Sequence, residues 1–207
     1  MIHLILGGAR SGKSRFALEW ANQRAGQRAL VKQFIATAEA FDDEMSERIQ
    51  RHQQERGSDW QLSEVPLTLA DHLGAIAAQE TAAQEIAAQK HAQIVLVDCL
   101  TLWLNNQLYH RPDQDVEQMR STLVEAVGEF GGRSQSDLVL VANEVGLGIV
   151  PMGEVSRVFV DQAGWLNQAL AQVADQVTFV AAGLPMTLKI HESLKNHESL
   201  TRQEQGS

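Results

Sequence analysis

Near the start of the chain, Gly7-Gly8-Ala9-Arg10-Ser11-Gly12-Lys13-Ser14 form a complete G-x-x-x-x-G-K-S phosphate-binding loop, directly behind the apolar run Ile2, Leu4, Ile5 and Leu6. Glycines let successive backbone N–H groups turn inward around a polyphosphate, the lysine reaches the β and γ oxygens, and the Ser14 hydroxyl is suited to Mg2+. The motif requires a strand before it and a helix after it. Phe16, Ala17, Trp20 and Ala21 supply the helix, since they fall on one face at helical spacing. The first strand must therefore deliver a nucleotide site to one edge of a sheet.

The rest of the chain carries the partners for such a sheet. Apolar runs at Ile2 to Leu6, Val31 to Ala36, Ile94 to Val97, Leu138 to Ala142 and Val177 to Ala182 alternate with helical patterns. Unbroken Val, Leu and Ile runs between amphipathic helices indicate strands buried on both faces, hence a mostly parallel α/β sheet covered by helices. Met119, Leu123, Val127 and Phe130 mark one covering helix over about 115–131. Val155, Phe159, Ala163, Leu166 and Leu170 mark another over about 154–174, and Leu69, Leu73 and Ile76 are the inner stripe of a long helix from Leu67 to Lys90. No linker divides the 207 residues, so a single domain over 1–189 is expected. The polar 190–207 extension repeats His-Glu-Ser-Leu at His191 and His197, a pattern better suited to a flexible tail than to a metal site.

Composition removes other classes. A formal net charge of -9 and a pI near 5.2 argue against nucleic-acid binding, which needs a surplus of Lys and Arg. No apolar run spans a membrane and no signal-peptide pattern precedes the first strand, so a cytoplasmic location is expected. The single cysteine, Cys99, reads as a small buried residue.

Three further constellations bear on chemistry. Asp98 closes the run Ile94 to Val97, where a carboxylate would face the phosphate loop and hold the metal with Ser14; capping the helix that starts near Leu100 is the competing role. Within the stretch Asp42 to Arg56, His52 shares the helical stripe of Met45 and Ile49 and is flanked by Arg48 and Arg56. Guanidiniums on both sides favour a neutral imidazole, a nucleophile toward phosphorus, but a core-edge histidine bonded to a backbone carbonyl has the same spacing. The loop Asn143-Glu144-Val145-Gly146-Leu147-Gly148-Ile149-Val150-Pro151 follows a strand, with Glu144 as its candidate for substrate contact.

Taken together these motifs resemble the bifunctional adenosylcobinamide kinase / adenosylcobinamide-phosphate guanylyltransferase family. The phosphate loop, Phe34 to Ala38, Asp43-Glu44-Met45, Arg48-Ile49, His52, Arg56, Trp60, Glu64-Val65-Pro66, Val97 to Trp103, Asn143 to Pro151, and Gly164 with Asn167-Gln168 carry the likeness from residue 2 to about Lys189. The resemblance implies a RecA-like P-loop NTPase sheet, a homotrimer, and two consecutive reactions. A nucleoside triphosphate, ATP or GTP, phosphorylates the aminopropanol hydroxyl of adenosylcobinamide; GMP then passes from GTP through a guanylylated histidine to the new phosphate. The family's Arg-Ile-x-x-His-x-x-x-Arg pattern maps onto Arg48, Ile49, His52 and Arg56. It implies His52 and Lys13 as catalytic residues, Mg2+ on Ser14 and Asp98, and nucleotide contacts at Gly7 to Ser14, Ala36, Thr37, Ala38, Gln53, Gln54, Glu55, Arg56, Glu64 and Asp98. Where the family commonly has Arg before the Asp of a Phe-Arg-Asp segment, this chain has Val160, between Phe159 and Asp161. A P-loop kinase of another small metabolite and a nucleotide switch are the alternatives: neither needs a covalent nucleotidyl histidine.

Overall fold

The computed structural model describes residues 1–39, 56–86 and 92–191. Among these, β1 (Ile2–Gly7), β2 (Val31–Ala36), β3 (Gln61–Glu64), β4 (Gln93–Asp98), β5 (Asp137–Asn143), β6 (Gln176–Ala181) and β7 (Leu184–Ile190) join in one sheet of order β3-β2-β4-β5-β1-β6-β7. The pairings are parallel except for β7, which runs antiparallel to β6. The helices are α1 (Lys13–Arg28), α2 (Leu69–Ile86), α3 (Leu100–His110), α4 (Val116–Arg133) and α5 (Glu154–Val173). This is the expected α/β sheet covered by helices on both faces.

Strand alternation divides the core in two. Leu4, Leu6, Val95, Val97, Leu138 and Leu140 face α2, α4 and α5, where Leu73, Leu123, Val127, Phe130 and Leu170 complete one cluster. Ile5, Ile94, Leu96, Val139 and Val141 face the other way, onto Ala17, Ala21 and Ala25 of α1. Short alanine side chains let α1 lie close to the sheet that holds its own phosphate loop. Each fully buried Leu, Ile or Val contributes roughly 1.5–3 kcal/mol, so a central strand buried on both faces is a strong anchor for what stands at its end.

The two outer strands, β3 and β7, are absent from the sequence reading because they lack the pattern it relies on. Gln61–Glu64 is largely polar, and most of Leu184–Ile190 is exposed. Two helix expectations also change. The N-cap of α3 is Cys99, with no side-chain cap bond, so Asp98 does not cap that helix. Val155, expected in the core, is 79% exposed, because α5 packs on the core only from Phe159 onward. The His52 helix and residues 192–207 lie outside the described residues.

Candidate active site

The phosphate loop leaves β1 at Gly7 and enters α1 through Gly12, whose φ of 92° is the left-handed region that glycine adopts without a Cβ clash. Much of its shape comes from the neighbouring hairpin. A Cβ on Gly7 would lie 2.5 Å from the Val180 carbonyl oxygen of β6, and one on Gly12 would lie 3.2 Å from Gly183 Cα in the β6–β7 turn. The Gly183 N–H donates to the Ser11 carbonyl at 2.8 Å. Gly8 is different, since a Cβ there meets nothing within 4 Å. Lys13 is buried, and its ammonium donates to the Gly8 carbonyl at 3.2 Å, which holds the cation across the mouth of the loop. No acidic residue occupies the first turn of α1, so the positive end of the helix dipole is left for an anion.

Asp98 ends β4 on the same sheet edge, with one strand, β5, between it and β1. In register, Ile5, Val141, Asp98, Ala36 and Glu64 form one row across β1, β5, β4, β2 and β3. At about 4.8 Å per strand, Asp98 stands roughly 10 Å from β1 and Glu64 roughly 19 Å. The expected contact residues therefore form two groups on one edge, the phosphate loop with Asp98 and the more distant Ala36, Ala38 and Glu64.

Thr37 joins the strands that carry these groups. Its hydroxyl donates to the Cys99 carbonyl at 2.7 Å and accepts from the Cys99 N–H at 2.9 Å. Its own N–H donates to the Asp98 carbonyl at 3.3 Å, and its carbonyl accepts from Asn106 Nδ2 at 2.8 Å. The buried Cys99 that completes this knot has its thiol pushed up to about 11, by burial first and then by the Asp98 charge, so it is no nucleophile at neutral pH. Motif reading picked out Thr37 as a contact; its structural bonds need the fold to be seen.

Arg56 packs its guanidinium 4.4 Å from the centre of the Phe34 ring on β2, where burial lowers its pKa. Its expected neighbours His52, Gln53, Gln54 and Glu55 lie outside the described residues.

On the other side of the phosphate loop, the Glu144 N–H donates to the Gly7 carbonyl at 3.1 Å, and Asn167 Nδ2 of α5 donates to the Asn143 carbonyl at 3.2 Å. Glu144 Oε1 accepts from the Gly146 N–H at 2.9 Å. These bonds tie the 144–151 loop and the middle of α5 to the first residue of the phosphate loop. An open cleft of about 770 Å3 lies between α5, this loop and β7. Nothing in the sequence pattern announced it.

A family model described as cobinamide kinase / cobinamide phosphate guanyltransferase matches residues 3–188. The chain belongs to this family. Its relatives include the bifunctional adenosylcobalamin biosynthesis protein CobP of Pseudomonas aeruginosa, 46% identical over 91% of this chain and 98% of that protein. The CobU proteins of Escherichia coli and Salmonella typhimurium, each also named a bifunctional adenosylcobalamin biosynthesis protein, are 34% identical over 91% of this chain and all of theirs. A solved ATPase domain aligns with 86% of this chain and 68% of that one at 14% identity and a TM-score of 0.48, too distant to bear on function. The family match spans the phosphate loop, Asp98, the 144–151 loop and α5.

The site also suits the divalent metal that such a loop implies. Among the described residues no cluster of three or more His, Cys, Asp or Glu forms a metal cage. Ser14 and Asp98 instead offer a hydroxyl and a carboxylate with no partner among the described residues, the sparse oxygen set that suits Mg2+ shared with phosphates.

Proposed function

We propose that this protein phosphorylates the aminopropanol hydroxyl of adenosylcobinamide with ATP or GTP and then converts the product to adenosylcobinamide-GDP, acting in the cytoplasm as a homotrimer. The observation that carries this reading is a complete phosphate loop, held rigid by β6 and the β6–β7 turn, in a chain that belongs to the family over residues 3–188.

In the first reaction the substrate hydroxyl oxygen bonds to the γ-phosphorus, its proton is lost, and the bond to the nucleoside diphosphate breaks. Lys13 and the N–H groups of residues 8–14 hold the phosphate oxygens and offset their growing charge. Ser14 and Asp98 would hold Mg2+, which would supply positive charge to offset that of the phosphates. In the second reaction a ring nitrogen of His52 bonds to the α-phosphorus of GTP and pyrophosphate leaves. An oxygen of the cobinamide phosphate then bonds to that phosphorus, the P–N bond breaks, and the imidazole is restored. Splitting the transfer keeps two anions from having to meet in one step. Glu64, Ala36 to Ala38 and Gln53 to Arg56 serve as nucleotide contacts in this reading, Ala36 and Glu64 standing at the far end of the row from the phosphate loop.

Incubation with α-labelled GTP and Mg2+ tests it. The expected result is an acid-labile, alkali-stable label on the wild-type protein, absent in His52→Ala together with adenosylcobinamide-GDP formation, while part of the kinase activity survives. Label persisting in His52→Ala would place the nucleophile elsewhere. Kinase activity with no label in the wild type would leave a metabolite kinase without guanylyl transfer.

A further inference from the structure

We propose that the cleft between α5, the 144–151 loop and β7 is where the corrin of the cobinamide substrate docks, with Trp165 as its main apolar contact. This rests on the proposed function and adds to it the place where the acceptor binds.

Position is the first argument. Leu6, the residue before the phosphate loop, lines the cleft, as does Glu144, whose N–H is bonded to Gly7. A ligand lying there can present a side arm to the γ-phosphate over the short distance past Gly7. At about 770 Å3 the cleft has room for much of a large ligand.

Chemistry is the second. A corrin is a broad, mostly apolar ring with carboxamide arms. The cleft and its rim expose Leu147 (77%), Val150 (74%) and half of Trp165 (50%), an unusual amount of apolar surface for a helix and loop at a sheet edge. Beside Trp165 stand Gln168 and Gln172, whose side-chain amides have no partner among the described residues and which match the ligand's carboxamides as donors and acceptors.

Charge is the third. Cobalt(III) with one corrin anion and one alkyl anion leaves adenosylcobinamide a monocation. The cleft holds the carboxylates of Glu144 and Asp161. Its lysine, Lys189, donates to the Ala171 and Gln172 carbonyls at 2.9 Å each near the end of α5, and the Arg120 guanidinium lies 5.4 Å from the centre of the Trp165 ring. The Asp161 carboxylate offers that cation a counter-charge inside the cleft. The middle and last turns of α5, from Val160 to Gln172, form one wall of the cleft.

The test measures adenosylcobinamide and GTP separately, on wild type, Trp165→Ala, Trp165→Phe and Asp161→Arg. KM for adenosylcobinamide should rise at least tenfold in Trp165→Ala and Asp161→Arg and by less than about threefold in Trp165→Phe, which keeps an aromatic ring. GTP affinity and covalent GMP labelling should stay at wild-type level in all three, which shows that the variants are folded. Unchanged KM for the corrinoid in the alanine and arginine variants overturns the proposal. So does loss of the native oligomer in them by light scattering, which would make this face a contact between copies of the chain. Failure of the wild type to bind adenosylcobinamide at all would instead overturn the proposed function.

Discussion

Lys13 is the residue on which the proposed phosphoryl transfer depends most. Its side chain is buried at the start of α1 and its ammonium bonds to the Gly8 carbonyl, which in the proposed reaction keeps the charge at the mouth of the phosphate loop. Lys13→Ala should leave the fold intact and slow nucleotide-dependent transfer by roughly a hundredfold or more, about 3 kcal/mol of barrier, a typical loss for one positioned charge. Steady-state kinetics with a urea melt as control checks both halves. Asp98 belongs to the same argument, because Cys99 and not Asp98 is the N-cap of α3. Asp98→Asn should raise the Mg2+ concentration for half-maximal activity, since an amide binds a hard cation less well than a carboxylate; an unchanged metal titration would count against Asp98 as a ligand.

At the scale of elements, the site is made by joints between strand ends. The Thr37 hydroxyl bonds both to the carbonyl and to the N–H of Cys99, fastening the end of β2 to the end of β4. Thr37→Val keeps the shape but leaves the buried Cys99 N–H without its partner, while the Cys99 carbonyl keeps its bond from the Trp103 N–H at 3.2 Å. That should cost about 1–3 kcal/mol. Urea unfolding should show a lower midpoint for Thr37→Val and a near-normal one for Thr37→Ser, which keeps the hydroxyl. The β6–β7 hairpin is the second joint, since the Gly183 N–H holds Ser11 and the Val180 carbonyl excludes any side chain at Gly7.

Across the whole molecule, the edge opposite the site carries the stabilising polar contacts. Asp137, nearly all buried, pairs with Arg24 at 2.8 Å and Arg28 at 2.7 Å; burial alone would raise its pKa, but the hydrogen bond from Arg24 and the nearby positive charges hold it below the usual value. His3 is buried between β1 and α1, bonded to Thr178 at 2.9 Å and edge-on to Trp20, and burial pushes its pKa down to about 3. Since the unfolded histidine titrates near 6.5, the unfolded chain takes up that proton first as pH falls. His3 therefore lowers stability progressively from about pH 6.5 to 3, by on the order of several kcal/mol at about 1.4 kcal/mol per unit. Asp137 acts in the same direction but lower, its contribution present above the ordinary carboxylate range and lost as pH falls through its depressed value. Urea midpoints measured from pH 7 to 4 should fall less steeply for His3→Phe than for the wild type.

Local patterns were sufficient wherever one segment carries its own constraint. The phosphate loop, the doubly buried strands β1, β4 and β5 and the inner stripes of α2 and α4 follow from apolar periodicity and glycine placement within a few residues, and the ordered motifs were enough to recognise the family. Tertiary structure decided what depends on groups far apart in the chain. β3 and β7 are strands because neighbours offer free backbone edges, not because Gln61–Glu64 or Leu184–Ile190 have a strand pattern. Val155 has a core residue's spacing and lies outside because α5 packs on the core only from Phe159 onward. The cleft at Trp165 exists only because bonds from Glu144 to Gly7 and from Asn167 to Asn143 bring a loop and a helix against a hairpin. Hydrogen bonds between residues 24 or 137 positions apart leave no periodic trace in a sequence, so the fold alone makes that part of the site.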